Sequence, residues 1–352
     1  MKTRYTSLSP IPGYHTPLSK YGRKALRRLG LMKEHPMQQF HDMLQYILDN
    51  GSRQLNERTG EEVLFVPGYK LTFDMQDGFP AYTTKQLFFK MAKGEVEGFF
   101  KGFTSAQQFR DVGCKVWTVN ANQTKAWLAN PNRKGEDDLG RFGYLNWTDW
   151  RDWREATSKE EADAMLAKGY ELLAHDATRN VWVLRRSINQ LETSLHALMT
   201  NPSDRGIILS GWRPDEHDLG CLRACHVTYQ LTVDTTTNTL HLTLWQRSFD
   251  SPLAYNISIG ALYLEIMARL SGLKAGTFTH FISDAHIYVK HIPGVKEMLS
   301  REHLPQPKLD LGNIEALKSP ADVAGVFQTL DFSQIKLVDY KFHPKIPFEM
   351  TA

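Results

Sequence analysis

Residues 227–248 read VTYQLTVDTTTNTLHLTLWQRS, two runs of alternating apolar and polar residues on either side of a polar turn. Alternation with a period of two predicts β-strands, and the turn DTTTN joins the two runs into a long antiparallel hairpin. The next segment, ISIGALYLEIMARLSGL at 257–273, is apolar on nearly every side, which predicts a helix buried in the core. Helices between antiparallel strands, without regular βαβ alternation, indicate an α+β fold.

Further elements precede this hairpin. The stretch MQQFHDMLQYILDNG at 37–51 predicts a helix whose apolar face includes Phe40 and Ile47, with Gly51 as its stop. The stretch EEVLFVPGYKLTFDMQDGFPAYTT at 61–84 predicts short strands broken by glycine and proline. We therefore expect a large mixed or antiparallel sheet, packed with helices around the buried central helix.

Composition divides the chain into segments. Residues 1–36 form a basic N-terminal extension, in which SKYGRKALRRLG is either a solvated surface segment or an arm that binds phosphate or a partner. Residues 37–352 are predicted to form a single catalytic domain with an insertion at about 148–190. Within the insertion, SKEEADAMLAKGY predicts a polar amphipathic helix and ELLAHDATRNVWVLRRS predicts a hairpin.

The bulk composition excludes several classes of protein. Of 352 residues, 41% are hydrophobic and 23% are charged, and a net charge of +3 is too small to favour nucleic acid binding across the whole surface. No run of about 18 apolar residues is available for a membrane span. Three cysteines indicate a reducing compartment, so we expect a cytoplasmic protein. From the charge and the lack of an apolar run, we expect no nucleic-acid partner and no membrane.

Cys225 stands in LRACHVTYQ at 222–230, at the head of the first strand of the hairpin. Three further candidate zinc ligands stand nearby: His217, Cys221 and His226. These residues lack the paired spacing of a zinc site, so no metal is expected. A lone cysteine is most often a small buried hydrophobe. The local pattern leaves a buried thiol and a nucleophile as open alternatives.

The wider context favours the nucleophile. Polar and charged side chains collect in WQRSFDSPLAYNIS at 245–258 and in SDAHIYVKH at 283–291: Arg247, Ser248, Asp250, Asn256, His286 and Tyr288. Arg58 and Arg205 add two more guanidinium groups, which suit phosphate by their bidentate geometry. A thiol, several arginines, an amide and an imidazole together suggest a nucleotide site with a covalent step.

An ordered set of motifs extends this picture: RTG, QDGFPAYTTK, FFKG, VWTVNA, CHVTYQ, QRSFD, YNIS, DAHIY and YKFHP. In this order they resemble the folate-dependent thymidylate synthase superfamily, and in detail its phage deoxypyrimidine-nucleotide hydroxymethylases. The resemblance covers about residues 37–147 and 191–346. It implies a thymidylate-synthase-like fold, dUMP as substrate and 5,10-methylenetetrahydrofolate as co-substrate. It also implies a homodimer in which Arg205 reaches the phosphate site of the other subunit.

The resemblance implies a role for each matching residue. Cys225 would add to carbon 6 of the uracil ring, with neighbouring arginines such as Arg205 lowering its pKa. Glu95 would move protons through ordered water, a task for which Glu97 is less well spaced. The 5′-phosphate would be bound by Arg58, Arg205, Arg247 and Ser248, and the sugar hydroxyl by His286 and Tyr288. The hydrogen-bond network around the uracil ring would include His226 and Gln230. The folate would be contacted by Trp117, Asn120 and Asp250.

Asn256 carries the prediction of the substrate base. An amide can donate to oxygen 4 and accept from the N–H at position 3, which is the pattern of uracil. Cytosine presents the reverse pattern, and family members that act on dCMP carry aspartate at this position. A mismatched buried polar group costs about 1–3 kcal/mol, so the resemblance implies deoxyuridylate.

Several departures from the synthase pattern favour addition of water after the methylene is transferred. Asn120 replaces a second tryptophan, and FGYLNW is one residue longer than usual. Phe142 therefore stands where the family has a catalytic tyrosine, a change for which Tyr144 would compensate. The loop SPLAYN is shortened, Arg205 is followed by glycine rather than a second arginine, and the chain ends in PFEMTA.

These departures predict a deoxyuridylate hydroxymethyltransferase that makes 5-hydroxymethyl-dUMP, located in the host cytoplasm if the protein is encoded by a phage. The alternative is thymidylate synthase, which converts dUMP to dTMP with the folate as reductant. An alternative of another class is a catalytically silent homologue that binds nucleotide or RNA through its basic arm.

Overall fold

The computed structural model describes residues 34–349, so the predictions for the basic arm and for the terminal Ala352 lie outside the described residues. The helices are α1 (Gln38–Asn50), α2 (Phe89–Lys101), α3 (Ala106–Asp111), α4 (Trp117–Gln123), α5 (Lys125–Leu128), α6 (Lys159–Leu166), α7 (Gln190–Thr200), α8 (Tyr255–Ser271), α9 (Ile292–Ser300) and α10 (Val326–Thr329). The strands are β1 (Ser52–Asn56), β2 (Glu61–Asp74), β3 (Trp150–Ala156), β4 (Glu171–Asp176), β5 (Val181–Ile188), β6 (Ile208–Ser210), β7 (His226–Asp234), β8 (Thr239–Gln246), β9 (Phe249–Asp250), β10 (Lys274–Tyr288), β11 (Lys308–Asp310) and β12 (Lys336–Val338).

The main sheet is mixed and follows the order β1-β2-β10-β8-β7-β6, with β9 beside β10. Strands β7 and β8 form the predicted antiparallel hairpin, with Gln230 opposite Thr243. Strand β10 pairs antiparallel with β2 and parallel with β8. The predicted α+β class with a large mixed sheet is confirmed.

Helix α8 is the centre of the core. Nearly every residue from Ile257 to Leu270 is buried, as its continuous apolar sequence predicts. It packs against α2 and the inner face of β8 and β10. It begins after Ala254, whose φ of 52° places a residue with a Cβ in the left-handed region. Such strain persists only where the surroundings enforce it, and here it lies two residues before Asn256.

The two earlier elements differ in how well the sequence predicted them. Helix α1 buries the expected apolar face and ends before Gly51. The segment at 61–74, by contrast, is one strand of 14 residues rather than several short runs. Strand β10 holds its register across Pro67, from Val66 opposite Ala285 to Tyr69 opposite Ile282. Because β1 pairs with β2 only as far as Phe65, the missing N–H of proline breaks no ladder on that side.

The insertion has a small core of its own. Strands β3, β5 and β4 form a separate antiparallel sheet in that order, and α6 packs against β3 and β5. Ala156, Ala162, Tyr170 and Leu184 form its buried cluster. The predicted helix and hairpin are confirmed, whereas the division into one domain with one insertion stays a prediction. Between residues 34 and 349, no helix is long and apolar enough to cross a membrane.

Close packing between α2 and α3 gives a stability prediction. A Cβ on Gly98 would lie 2.1 Å from Cε1 of Phe109, a contact that requires the ring to move. We expect Gly98→Ala to lower the free energy of unfolding by about 1–3 kcal/mol, measured by denaturant titration. Adding Phe109→Leu should restore part of this loss. A Gly98→Ala variant as stable as the parent would contradict the packing described.

Candidate active site

Cys225 lies directly before β7 as a free, half-buried thiol. Its sulfur lies 3.8 Å from Nη2 of Arg247. The Arg247 guanidinium is fixed by donating to the backbone carbonyl oxygens of Ala224 at 3.0 Å and Arg223 at 3.1 Å. The backbone N–H of Arg247 also donates to the carbonyl of Cys225 at 2.9 Å. The thiol and its cationic neighbour are therefore held together by the same stretch of backbone.

Burial and charge oppose each other at this thiol. Burial raises the pKa of Cys225, Arg247 and Arg58 lower it, and Glu95 raises it further. The prediction that Arg205 supplies the positive field is wrong within this chain, because Arg205 lies exposed on the far side of β7. The thiolate needed for nucleophilic attack is therefore favoured by Arg247 and Arg58.

Glu95 is a buried carboxyl of α2 rather than a solvated one. Burial raises its pKa to about 8, so it carries a proton at neutral pH. The indole N–H of Trp117 partly offsets this rise, although it makes no regular hydrogen bond. Glu97 instead pairs with Lys101 at 2.8 Å. A carboxyl with a pKa near neutrality can both give and accept protons, which suits Glu95 to the proton-transfer role.

Tyr144, and not Phe142, reaches the nucleophile. The Tyr144 hydroxyl accepts hydrogen bonds from the backbone N–H groups of Cys225 at 3.2 Å and His226 at 3.3 Å. Phe142 is buried against Trp117, with ring centroids 4.8 Å apart. A catalytic role for Phe142 is therefore not supported, because the longer FGYLNW segment turns through Gly143–Trp147 and brings the second aromatic residue to the backbone at Cys225.

Asn256 is held by a buried histidine. Its side-chain amide donates to Nε2 of His226, whose Nδ1 lies 2.7 Å from the Tyr229 hydroxyl. Complete burial lowers the pKa of His226 to about 3, so the ring is neutral. A neutral ring with Nε2 as acceptor carries its proton on Nδ1 and donates it to Tyr229. His226 therefore orients the Asn256 amide rather than transferring protons.

A second polar pair supports the same region. The amide of Gln246 donates to the carbonyl of Ser248 at 2.6 Å and accepts from Nε2 of His280 at 2.8 Å. Both side chains are buried beneath the loop that carries Arg247. Sequence reasoning missed His280 and Tyr229, although polar residues at core-facing positions of β7 and β10 were a usable signal.

Three of the residues assigned to phosphate and sugar lie close to one another. Arg58 acts electrostatically on both Cys225 and Tyr288. His286 and Tyr288 meet edge to face with centroids 5.4 Å apart, and Nδ1 of His286 lies 2.7 Å from Oδ1 of Asp284. The structure thus brings Arg58, His286 and Tyr288 to one end of β10, and their roles in binding phosphate and sugar stay predictions.

The residues assigned to folate include two unpartnered buried polar atoms, Oδ1 of Asp250 and Nε1 of Trp117. Burial raises the pKa of Asp250 to about 6, and His286 and Lys85 oppose that rise. Asn120 lies one helical turn beyond Trp117 on α4. Unpartnered buried donors and acceptors are costly in a free protein, so these atoms fit a polar heterocycle such as a pterin.

Lys85 is a functional candidate that was not singled out from the sequence. It is buried, its ammonium lies 4.1 Å from the Tyr82 ring centroid, and burial lowers its pKa to about 7. Phe348 of the C-terminal segment lies 5.4 Å from the same ammonium. Its place in the motif QDGFPAYTTK was the available signal.

Gln230 does not join the ring network in this chain. Its amide donates to the backbone carbonyl of Arg205 at 3.0 Å. Gln230 alternates with Tyr229 along β7, so it faces the outer side of the sheet, away from His226. The assignment of Gln230 to the ring is therefore wrong. Within residues 34–349, no group of three or more His, Cys, Asp or Glu side chains is arranged to hold a metal ion.

The pKa of Glu95 gives a prediction for stability against pH. As pH rises from about 4.5 to about 8, the unfolded chain loses this proton before the folded chain does, so the folded state is progressively destabilised. We expect Glu95→Gln to increase the free energy of unfolding by about 2–4 kcal/mol at pH 9 and by little near pH 4, while activity falls. Glu97→Gln is the matched control. An equal gain from both variants would show that Glu95 is not the buried acid.

The fold and the site together define a class: an α+β enzyme with a cysteine nucleophile, a buried proton-transferring carboxyl and arginines beside the thiol. Residues 38–352 match the family described as thymidylate synthase. The chain belongs to the thymidylate synthase family, whose members use 5,10-methylenetetrahydrofolate as co-substrate.

Named relatives agree with this placement. The thymidylate synthase of Bordetella parapertussis is 41% identical over 284 residues, which are 79% of this chain and 87% of that protein. Those of Pseudomonas syringae pv. tomato and Aliivibrio fischeri are 35% and 33% identical, each over 90% of this chain and 100% of the relative. These relatives are bacterial synthases, and they lend no specific support to the resemblance to phage hydroxymethylases.

Proposed function

We propose that this protein transfers a one-carbon unit from 5,10-methylenetetrahydrofolate to carbon 5 of dUMP through a covalent Cys225 adduct, and that its product is dTMP. The carrying observation is a set of contacts: Cys225 meets Arg247 and Tyr144, and Asn256 meets His226, the residue that follows Cys225. The buried Glu95 is close enough to act electrostatically on the same thiol. The names of the relatives favour the methyl product over the hydroxymethyl product.

The chain's own side chains divide the work. The Cys225 sulfur adds to carbon 6 of uracil, which makes carbon 5 nucleophilic. Asn256, oriented by His226, distinguishes the N–H and carbonyl of the base. Glu95 exchanges protons with the ring region. The co-substrate supplies the methylene group and, on the synthase route, the hydride that leaves dihydrofolate. Asp250 and Trp117 would hold it through their unpartnered buried atoms.

A homodimer is part of the proposal. The outer face of the main sheet exposes Ile208, Trp245 and Phe281 at 46%, 48% and 44% of their surfaces. Trp245 and Phe281 are register neighbours, so they form one apolar patch. Gln230 and the Arg205 loop lie on this same face. A second copy placed there would cover the patch and bring Arg205 to the partner's site.

Hydroxymethyl transfer is the second candidate, and one observation favours it. Asn120 places a partly exposed polar side chain on α4, in the turn that follows Trp117, where synthases carry a second tryptophan. A polar group there can hold water near the transferred carbon, whereas a ring would exclude it. The cytoplasmic location predicted from the cysteine content stays a prediction, as does the silent-homologue alternative.

Product analysis tests the proposal. Purified protein is incubated with dUMP and 5,10-methylenetetrahydrofolate, the nucleotide is identified by mass spectrometry, and dihydrofolate is followed by absorbance. dTMP with stoichiometric dihydrofolate supports the proposal. 5-Hydroxymethyl-dUMP without dihydrofolate establishes the second candidate. No product of either kind, from a folded sample that binds dUMP, supports the silent homologue.

A further inference from the structure

A small polar cleft opens between the Gly143–Trp147 turn and the loop that leads to Cys225. Its lining includes Arg213, His217 and Arg223, and none of these residues belongs to the site described above. Arg213 is buried, with 8% of its surface exposed, yet its Nη1 atom has no hydrogen-bond partner. Nε2 of His217 is likewise buried without a partner. Unpartnered donors in a polar cleft indicate a missing acceptor.

Two guanidinium groups flank the same imidazole in this region. Burial lowers the pKa of His217, Arg223 and Arg247 lower it further, and Asp215 and Asp218 oppose this change. The His217 ring lies 4.4 Å from the Trp212 ring, and the Arg247 guanidinium carbon lies 5.8 Å from that indole. The Arg247 guanidinium also donates to the Arg223 carbonyl. The backbone of Arg223 therefore contacts the Arg247 guanidinium, while Arg223 also lines the cleft.

Two of the nearby carboxylates are already engaged by other arginines. Glu216 accepts from Arg141 at 2.8 Å, and Asp215 accepts from Arg213 at 3.1 Å. Within residues 34–349, no carboxylate lies within salt-bridge distance of Arg223 or Arg247. Guanidinium groups that have no ion-pair partner are available to bind an anion.

We infer that Arg223 is a second guanidinium for the 5′-phosphate of the nucleotide and acts from the same subunit as Cys225. This inference rests on the proposed function, because it takes dUMP as the ligand. Arg223 stands two residues before the nucleophile, its side chain is exposed, and its backbone carbonyl accepts from the Arg247 guanidinium. A nucleotide anchored at Cys225 with its phosphate on Arg247 places that phosphate between the two guanidinium groups.

The sequence supplies a reason for this arrangement. Gly206 follows Arg205 and leaves the loop on the outer face with one guanidinium. An arginine just before Cys225 restores a cation to the phosphate without requiring a residue of the other subunit. Arg223 thereby sets specificity for a phosphorylated nucleotide over a nucleoside, since only the phosphate gains a charge-assisted contact.

Binding measurements on Arg223→Ala test the inference by calorimetry with dUMP and with deoxyuridine. We expect the Kd for dUMP to rise about tenfold or more, with the weak deoxyuridine binding unchanged. In turnover assays the KM for dUMP should rise by a similar factor while kcat changes little. The Kd of Arg223→Lys for dUMP should lie between those of the wild-type protein and Arg223→Ala, because lysine keeps the charge and loses the bidentate geometry of the guanidinium. Arg179→Ala, at an 82% exposed side chain of the insertion, is the matched control.

The outcomes separate the two proposals. If the wild-type protein binds dUMP and Arg223→Ala binds it with the same Kd, the role of Arg223 is overturned and the proposed function stands. A folded wild-type protein that binds no dUMP would overturn the proposed function itself. Equal weakening of dUMP and deoxyuridine in Arg223→Ala would assign the residue to the shape of the loop and also overturn the inference.

Discussion

Cys225→Ser is expected to reduce kcat by roughly 10⁴-fold or more, the scale seen when a covalent nucleophile is removed. A serine hydroxyl ionises far less readily than a thiol, and Arg247 at 3.8 Å from the sulfur cannot close that gap. Binding of dUMP should persist, because the phosphate and base contacts do not use the sulfur. The measurement is single-turnover kinetics, together with mass spectrometry of the denatured complex to detect a covalent adduct.

Cys221→Ser is the matched control for this variant. Cys221 lies four residues earlier and is also buried, and burial raises the pKa of its thiol to about 12, so it stays protonated. We expect full adduct formation and near-normal turnover, with a small loss of stability. Substantial turnover in Cys225→Ser, or an adduct mapped to Cys221, would remove Cys225 from the mechanism.

Asn256→Asp is expected to reverse the base preference. We expect kcat/KM for dUMP to fall by roughly 10²-fold and activity on dCMP to appear, because a carboxylate cannot donate to oxygen 4 of uracil. The surrounding network can accept this change. If Nε2 of His226 takes the proton, Nδ1 becomes the acceptor, and the Tyr229 hydroxyl can donate instead. The ratio of the two kcat/KM values is the measurement.

Gln230→Glu is the matched control, because it makes the same amide-to-carboxylate change on the outer face of β7. Since its amide contacts the Arg205 carbonyl, its ratio of dUMP to dCMP activity should equal that of the parent. A shifted ratio would place Gln230 at the base after all. An Asn256→Asp variant that keeps the preference for uracil would show that another group reads the base.

The sequence predicted elements whose stability comes from local patterning. The β7–β8 hairpin follows from strict alternation around a polar turn, and α8 follows from a continuous apolar run. Strand β2 was harder to predict, because the consequence of Pro67 depends on which neighbour pairs with that edge. Pairing is a property of strands distant in the chain, and it is absent from local sequence.

For the candidate site, motif order was enough to name most residues that the structure brings together, including Cys225, Glu95, Arg247 and Asn256. It was insufficient to choose between Phe142 and Tyr144, which are two residues apart in a loop of unusual length. The choice depends on which ring enters the aromatic cluster with Trp117 and which hydroxyl meets the backbone at Cys225. Both outcomes are decided by packing, so spacing alone cannot give them.

The sequence by itself therefore determined the α+β class, the buried helix and the family to which the chain belongs, because these rest on residue types and their order. Only the tertiary structure decided the protonation states and the direction of the side chains. Burial raises the pKa of Glu95 to about 8 and lowers that of His226 to about 3. The pairing of β7 within the sheet places Gln230 on the outer face, where its amide contacts the Arg205 carbonyl. Desolvation depends on atoms contributed from the whole chain, and the order of residues along one segment does not contain it.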